Sequence, residues 1–343
     1  MADSPFKFTF LDHPNSEQLT QAVKEFESSI KGGGIHPTAQ KGLLSGFEIT
    51  NEEPFPKIES HESYLYGMLS TPTDVEDGLS EFFTVQFIIH EQMSLVVLWG
   101  PTERRPKRAK ELFERISQSA TDVLPASKET PREPGDIFVQ IARVIIDDLR
   151  RLLVVLHESV DTELRRIEDQ LFDEKYHSMS HEAADTYTKI RRLKFEILSI
   201  APIISETQNV FRAISDRKVV IRPPFVVGSE EAPPFSINQR IWISDLLMHA
   251  RSLKAQRNGL EQEVRLLSER LESLENRRQT AAQMRFAAVA SILLFPALVV
   301  GFFGQNFVVN PWSESRWSWE ISAFLLVCTA VIQFFYFKRK KWF

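Results

Sequence analysis

The spacing of apolar residues changes along this chain, and each change marks a different kind of element. Phe6-Lys7-Phe8-Thr9-Phe10 alternates with a period of two, and Tyr64-Leu65-Tyr66-Gly67-Met68-Leu69 is a second short apolar alternation. Phe83 to His90 and Met93 to Trp99 are two β-rich runs joined by Glu91-Gln92, which reads as a hairpin. Helical spacing over Glu17 to Ile30 and Lys107 to Ala120 is interleaved with these runs, so residues 1–124 read as a small α/β domain. Gly32-Gly33-Gly34 lacks the Lys-Ser/Thr that follows a phosphate-binding loop and reads as a flexible connection.

Beyond a Pro-rich link from Pro125 to Pro134 the period becomes helical. Ile141, Ile145, Leu149, Leu152, Leu156, Val160, Leu164, Ile167 and Leu171 recur every three or four residues, and Ile190, Leu193, Ile197 and Ile204 continue the pattern on a second arm. Residues 136–220 are therefore expected to form a long antiparallel helical hairpin that bends near Tyr176 to His181. Asp161, Glu163, Glu168, Asp169, Asp173 and Glu174 make its far end acidic, which suits either a solvated face or a cation-attracting surface. After the breaks at Pro223-Pro224 and Pro233-Pro234, nothing stops a helix from Ile237 until Pro296. Ile243, Leu246, Leu253, Leu260, Val264, Leu267, Leu271 and Leu274 form a near-heptad seam, with Arg257 and Arg278 intruding. The pattern predicts a stalk over 235–285 that runs on as one helix of about 70 residues, roughly 105 Å long.

Two uncharged runs follow, Phe286 to Phe303 and Ile321 to Phe337. Each would span roughly 25–27 Å as a helix, close to the hydrocarbon thickness of a bilayer. Either run alone could be a buried core helix. The flanks favour membrane spans, because Trp312, Trp317, Trp319, Tyr336 and Trp342 sit at interfacial positions and Lys338-Arg339-Lys340-Lys341 closes the second run. The expected order is a first span at 286–307, an external loop at 308–320, a second span at 321–337 and a basic tail at 338–343. Arg277, Arg278 and Arg285 precede the first span, while the loop carries only Arg316 beside Glu314 and Glu320. The bias of basic residues puts both termini in the cytoplasm of a multi-pass inner (plasma) membrane protein.

Composition sharpens this picture by exclusion. The 343 residues suggest about two domains, and 25% charged with 43% hydrophobic residues fits a folded protein rather than a disordered or collagen-like chain. A net charge of −5 offers no global attraction to nucleic acid, and a single cysteine, Cys328, excludes an intramolecular disulfide or a Cys-based zinc finger. The opening MADSPFKFTF has neither the basic segment nor the apolar run of a secretory signal. No nucleotide motif, catalytic triad or dinucleotide fingerprint is present, so neither an enzyme nor a tightly bound cofactor is expected. Two spans cannot enclose an aqueous path, and the apolar stalk seam calls for partners to bury it. Self-association is the natural expectation.

The run MRFAAVASILLFP, the segment GFFGQNF, the loop ending ESRWSWE and the closing YFKRKKWF resemble the CorA-type divalent-cation transporter family almost block for block. The cytoplasmic plan is similar over essentially the whole chain. The resemblance implies a funnel-shaped homopentamer, with an α/β cytoplasmic domain, a long helical hairpin, a stalk helix and two C-terminal transmembrane helices. Its function would be to move Mg²⁺, Co²⁺, Ni²⁺ or Zn²⁺ down an electrochemical gradient, with the stalk seam on the axis and the first span lining the pore. A non-conducting, membrane-anchored scaffold of the same architecture is the alternative. The family hallmark Gly-Met-Asn is here Gly304-Gln305-Asn306, and a zinc-transporting branch of the family also varies the middle residue. The segment from Pro296 to Gly301 is one residue shorter than usual, and Arg270 falls where magnesium channels of the family carry an acidic ring.

Physical chemistry gives these positions definite expected roles. Five copies of Asn306 would present a ring of amide oxygens that holds a cation through its waters, which suits Mg²⁺ because it dehydrates reluctantly. Glu314 and Glu320 would add negative potential outside, unless they are ordinary loop charges. Met284, Ala287 and Phe295 match family positions facing the conduit, where an apolar constriction can gate by dewetting; packing against lipid or a neighbour is the alternative for Phe295. Asp245 and His249 share an i, i+4 spacing near the start of the stalk, where the family's regulatory cation sites lie. His177 and His181 have the same spacing, which can bind zinc on a helix, though two histidines without a third ligand are more often surface groups. The expected partners are copies of the chain itself, the lipid bilayer and divalent cations.

Overall fold

A computed structural model describes residues 7–29, 34–44, 55–61, 63–76, 79–90, 93–100, 111, 114–116, 118, 134–172, 180–219, 235–303 and 317–340. Five strands open the chain: β1 (Lys7–Asp12), β2 (Lys57–Ser60), β3 (Leu65–Glu76), β4 (Leu79–Ile89) and β5 (Met93–Trp99). They form one sheet in the order β1-β5-β4-β3-β2. The β4–β5 pairing is antiparallel, as the two adjoining β-rich runs require, whereas β1 pairs parallel to β5 from Lys7↔Met93 to Asp12↔Leu98. Every residue of β5 is buried, so this strand reads as a continuous apolar run because both of its faces are covered. On one face α1 (Ser16–Ser29) and α2 (Pro37–Leu44) set Leu19, Val23, Phe26, Ala39 and Leu43 against Tyr66, Ile88, Leu95 and Val97. On the other, Phe87 meets Phe138 at 5.0 Å between ring centroids. Pro72 breaks the register of β3 at a point beyond the four residues that β2 covers, where the free side of the strand tolerates a missing donor.

Four long helices follow: α3 (Pro134–Phe172), α4 (Ser180–Ser215), α5 (Ile237–Phe303) and α6 (Ser318–Arg339). The start of α5 is fixed by a reciprocal cap, since Ser236 N–H donates to Gln239 Oε1 at 2.9 Å and Gln239 N–H to Ser236 Oγ at 3.4 Å. Gln239 also donates to Asp136 Oδ1 at 2.8 Å, which pins this end to the first turn of α3. From there α5 runs unbroken for 67 residues, about 100 Å, and passes through Pro296.

Contacts divide the chain into two units, residues 1–166 with 181–266, and residues 167–180 with 267–343. In the first unit α3 and α5 run side by side in parallel, with Arg150 against His249 and His157 against Glu263. This changes the reading of the stalk seam. Leu260, Val264, Leu267, Leu271 and Leu274 are all buried within the single chain, so the seam does not wait for other copies to cover it. Spacing showed that these residues need burial, but it could not show that the chain's own helices provide it.

Candidate cation pathway

The last part of α5 and nearly all of α6 are long and apolar enough to cross a membrane, and only 6% of each apolar window is buried. A core helix of a soluble protein would be covered. Here Phe286, Leu293, Leu294, Leu298 and Phe324 are instead among the most exposed side chains, which suits lipid or a neighbouring subunit. Glu320 lies in the first turn of α6 and is exposed, where a carboxylate also complements the helix dipole. Lys338 and Arg339 occupy its last turn, which has the opposite polarity.

Met284 and Phe295 lie eleven residues apart on α5, three turns along nearly the same face, and both are about 40% exposed. Ala287 is exposed too, whereas its neighbour Ala288 is fully buried. Continuing the face of Met284 toward the N-terminal part of α5 leads to an open groove lined by Glu269, Ser273, Asn276, Arg277 and Thr280. Apart from Arg277, read only as a basic flank of the span, these polar residues were not singled out from the sequence, although their three- and four-residue spacing ahead of Met284 carries the signal. Arg270, adjacent in sequence, donates to Glu168 Oε1 of α3 at 2.8 Å. Its charge is thereby committed to the hairpin.

Asp245 and His249 do come together, with Asp245 Oδ2 3.4 Å from His249 Nε2. Arg150 supplies the other contact, donating to His249 Nδ1 at 3.0 Å, which requires that nitrogen to be the unprotonated acceptor. Both ring nitrogens therefore face protein groups, one of them a cation. Among the described residues no group of three or more His, Cys, Asp or Glu side chains is arranged to hold a metal ion. His181 belongs to the second residue position of α4, but its side chain and His177 lie outside the description. Gly304, Gln305, Asn306 and Glu314 also lie outside the described residues; α5 is described up to Phe303, directly before the Gly-Gln-Asn segment.

A covered α/β sheet, a long helical hairpin, a helix that passes without interruption into one exposed apolar span and a second apolar helix after it define a membrane transporter architecture. The chain belongs to the CorA-like Mg²⁺ transporter protein family, whose sequence profile matches residues 43–339. It is therefore a divalent-cation transporter and not an enzyme. It is 25% identical over 98% of its length to the magnesium transport protein CorA of Mannheimia succiniciproducens, covering 96% of that protein. It is 24% identical over 90% of its length to the cobalt/magnesium transport protein CorA of Thermotoga maritima, covering 77% of that protein. The fold is similar to the complete CorA magnesium transporter of Methanocaldococcus jannaschii, with a TM-score of 0.71 at 16% identity over 100% of this chain and 95% of that one. It is also similar to the full-length CmaX protein, with a TM-score of 0.61 at 13% identity over 98% and 88% of the two chains.

Proposed function

We propose that the chain assembles as a homopentamer whose first span lines a pore for divalent metal cations moving down their electrochemical gradient. The observation that carries this reading is the continuity of α5, which joins a polar cytoplasmic groove to an exposed apolar span along one helix. Two apolar helices cannot enclose water by themselves, so a path for an ion needs several copies around it. The ring of Asn306 stands at the outer entrance, and Glu320 and Glu314 raise the local cation concentration there. Met284, Ala287 and Phe295 face the conduit, and Phe295 forms its apolar constriction. Asp245 and His249 serve as a regulatory cation site only when Arg150 withdraws, because a guanidinium 3.0 Å from the ring opposes a second cation. Both termini lie in the cytoplasm of a bacterial-type inner membrane.

The cargo is Mg²⁺ or a transition ion of similar charge and size. The amide in Gln305 favours ions held by oxygen donors over those that prefer sulfur, because an amide oxygen is a hard acceptor and a thioether is not. Purified protein in liposomes, tested separately with Mg²⁺, Co²⁺, Ni²⁺ and Zn²⁺ against an imposed gradient, is expected to show saturable flux of at least one ion. Absence of flux for all four, with intact oligomers in the membrane, would leave the architecture as a non-conducting scaffold.

A further inference from the structure

Three aromatic rings stack where α2 meets the sheet. His36 and His61 lie 5.2 Å apart between ring centroids and are inclined by 29°, and His61 lies 4.7 Å from Tyr64 at 20°. The stack holds the beginning of a helix in place. His36 immediately precedes α2, its carbonyl accepts the first helical bond from Gln40 N–H at 2.9 Å, and its own N–H donates to Tyr64 Oη at 2.7 Å. Ala39 and Leu43, carried by α2, are fully buried in the core under this contact. Among the described residues, the buried Nε2 of His61 has no partner within hydrogen-bond distance.

We propose that the His36–His61–Tyr64 stack is a proton-sensitive latch, which releases α2 from the sheet when His61 becomes charged. The charged and titratable groups facing His61 among the described residues bear on this. Glu59 Oε2 of β2 is 3.6 Å from Nε2, beyond hydrogen-bond range, and Glu59 is already paired with Lys57 at 2.9 Å. His36 faces the ring from the α2 side and Tyr64 from the start of β3. Glu27 of α1 accepts from Ile35 N–H at 3.1 Å and so braces the segment that carries His36. A proton on His61 Nε2 would sit against a second imidazole and largely shielded from water, with the Glu59 carboxylate 3.6 Å away as its acceptor among the described residues.

Burial holds the His61 imidazole below the ordinary histidine range, and His36 and Lys57 act in the same direction. The Glu59 carboxylate is the largest influence after burial and opposes it, without reversing the net downward direction. The sign follows from linkage. A released His61 titrates near its ordinary value of about 6.5, so between that value and the lower docked value the released state binds more protons. Docking is complete above the released value and weakens as pH falls through that window.

Hydrogen exchange of the full chain in detergent, corrected for the intrinsic pH dependence of exchange, tests this on peptides covering residues 35–44. Their protection is expected to be constant between pH 8 and 7, and to fall by up to about tenfold per pH unit below about 6.5. His61→Phe keeps an aromatic ring in the stack and removes the titration, so its protection should not change with pH. Glu59→Gln removes the one favourable charge and should steepen the fall. A flat wild-type profile from pH 8 to 5, or an equal fall in His61→Phe, would overturn the latch. If His61→Phe does not fold, an unchanged slope in Glu59→Gln would overturn it instead.

Discussion

In the proposed pathway, Asn306 is the side chain that must do most at the end of an almost wholly apolar run. A bare divalent ion entering a low-dielectric passage loses several kcal/mol or more of hydration energy, so the entrance must offer acceptors or keep the water. The side chains between Phe286 and Phe303 offer almost no polar atoms, and the carboxamides of Gln305 and Asn306 follow within three residues. Asn306→Ala should therefore lower liposome flux by about tenfold or more, since each lost hydrogen bond of this kind is worth about 1–3 kcal/mol. Oligomer content should not change, because the residue adds little apolar packing. Equal rates at matched oligomer content would show that Asn306 only terminates the helix. Gln305→Met places a softer donor beside it and should alter the ratio of Mg²⁺ to Zn²⁺ flux. Arg270 teaches the opposite lesson at this scale. The family resemblance put Arg270 where magnesium channels carry an acidic ring, and its guanidinium lies 2.8 Å from Glu168 of the hairpin.

At the scale of elements, α5 is the feature that sets the behaviour of the others. Adjacent residues on it occupy opposite environments, with Leu267 1% exposed and Leu266 54% exposed. Leu267→Ala should destabilise the protein by about 2–5 kcal/mol through the cavity it leaves, while Leu266→Ala should change stability by no more than about 0.5 kcal/mol. Apparent unfolding midpoints of the two variants in the same detergent check this directly. Equal shifts would mean that the seam is not packed within the chain. The cap formed by Ser236 and Gln239 is the local reason the helix starts where it does, and Ser-x-x-Gln ahead of a long periodic run is legible in the sequence. Its bond to Asp136 is not, because the two residues are about a hundred positions apart.

For the whole molecule, the basic clusters around Arg277 and Lys338, against a single arginine in the intervening loop, predict cytoplasmic termini. A C-terminal reporter active only outside the cytoplasm should stay silent, and a strong signal would reverse the assigned orientation. Mass measurement in mild detergent should give five times the mass of one chain. A stable monomer or dimer that still conducts would refute the pentameric pore. Because the stalk seam is already buried, assembly must draw on other surfaces. The apolar residues left exposed along the spans, such as Phe286 and Leu298, are the surfaces such contacts would use.

What the amino-acid order determined by itself was everything that depends on neighbours in the chain. The two apolar spans, the long helical periods and the β4–β5 pairing are all local patterns, because burial in lipid or in a core imposes a period or a run length on consecutive residues. The alternation near Phe8 likewise marked a strand, and β1 lies there. Its parallel partner β5 could not be read, since a parallel pairing joins segments far apart and leaves no mark at a fixed spacing. Nor could the identity of what covers a residue. An apolar position states only that it avoids water, so Leu260 to Leu274 could equally have faced other copies or the chain's own helices. Charges behave in the same way, for Arg150 beside His249 and Glu168 beside Arg270 are separated by 99 and 102 positions. Tertiary structure alone decided those partners, because only folding determines which distant surfaces exclude water together.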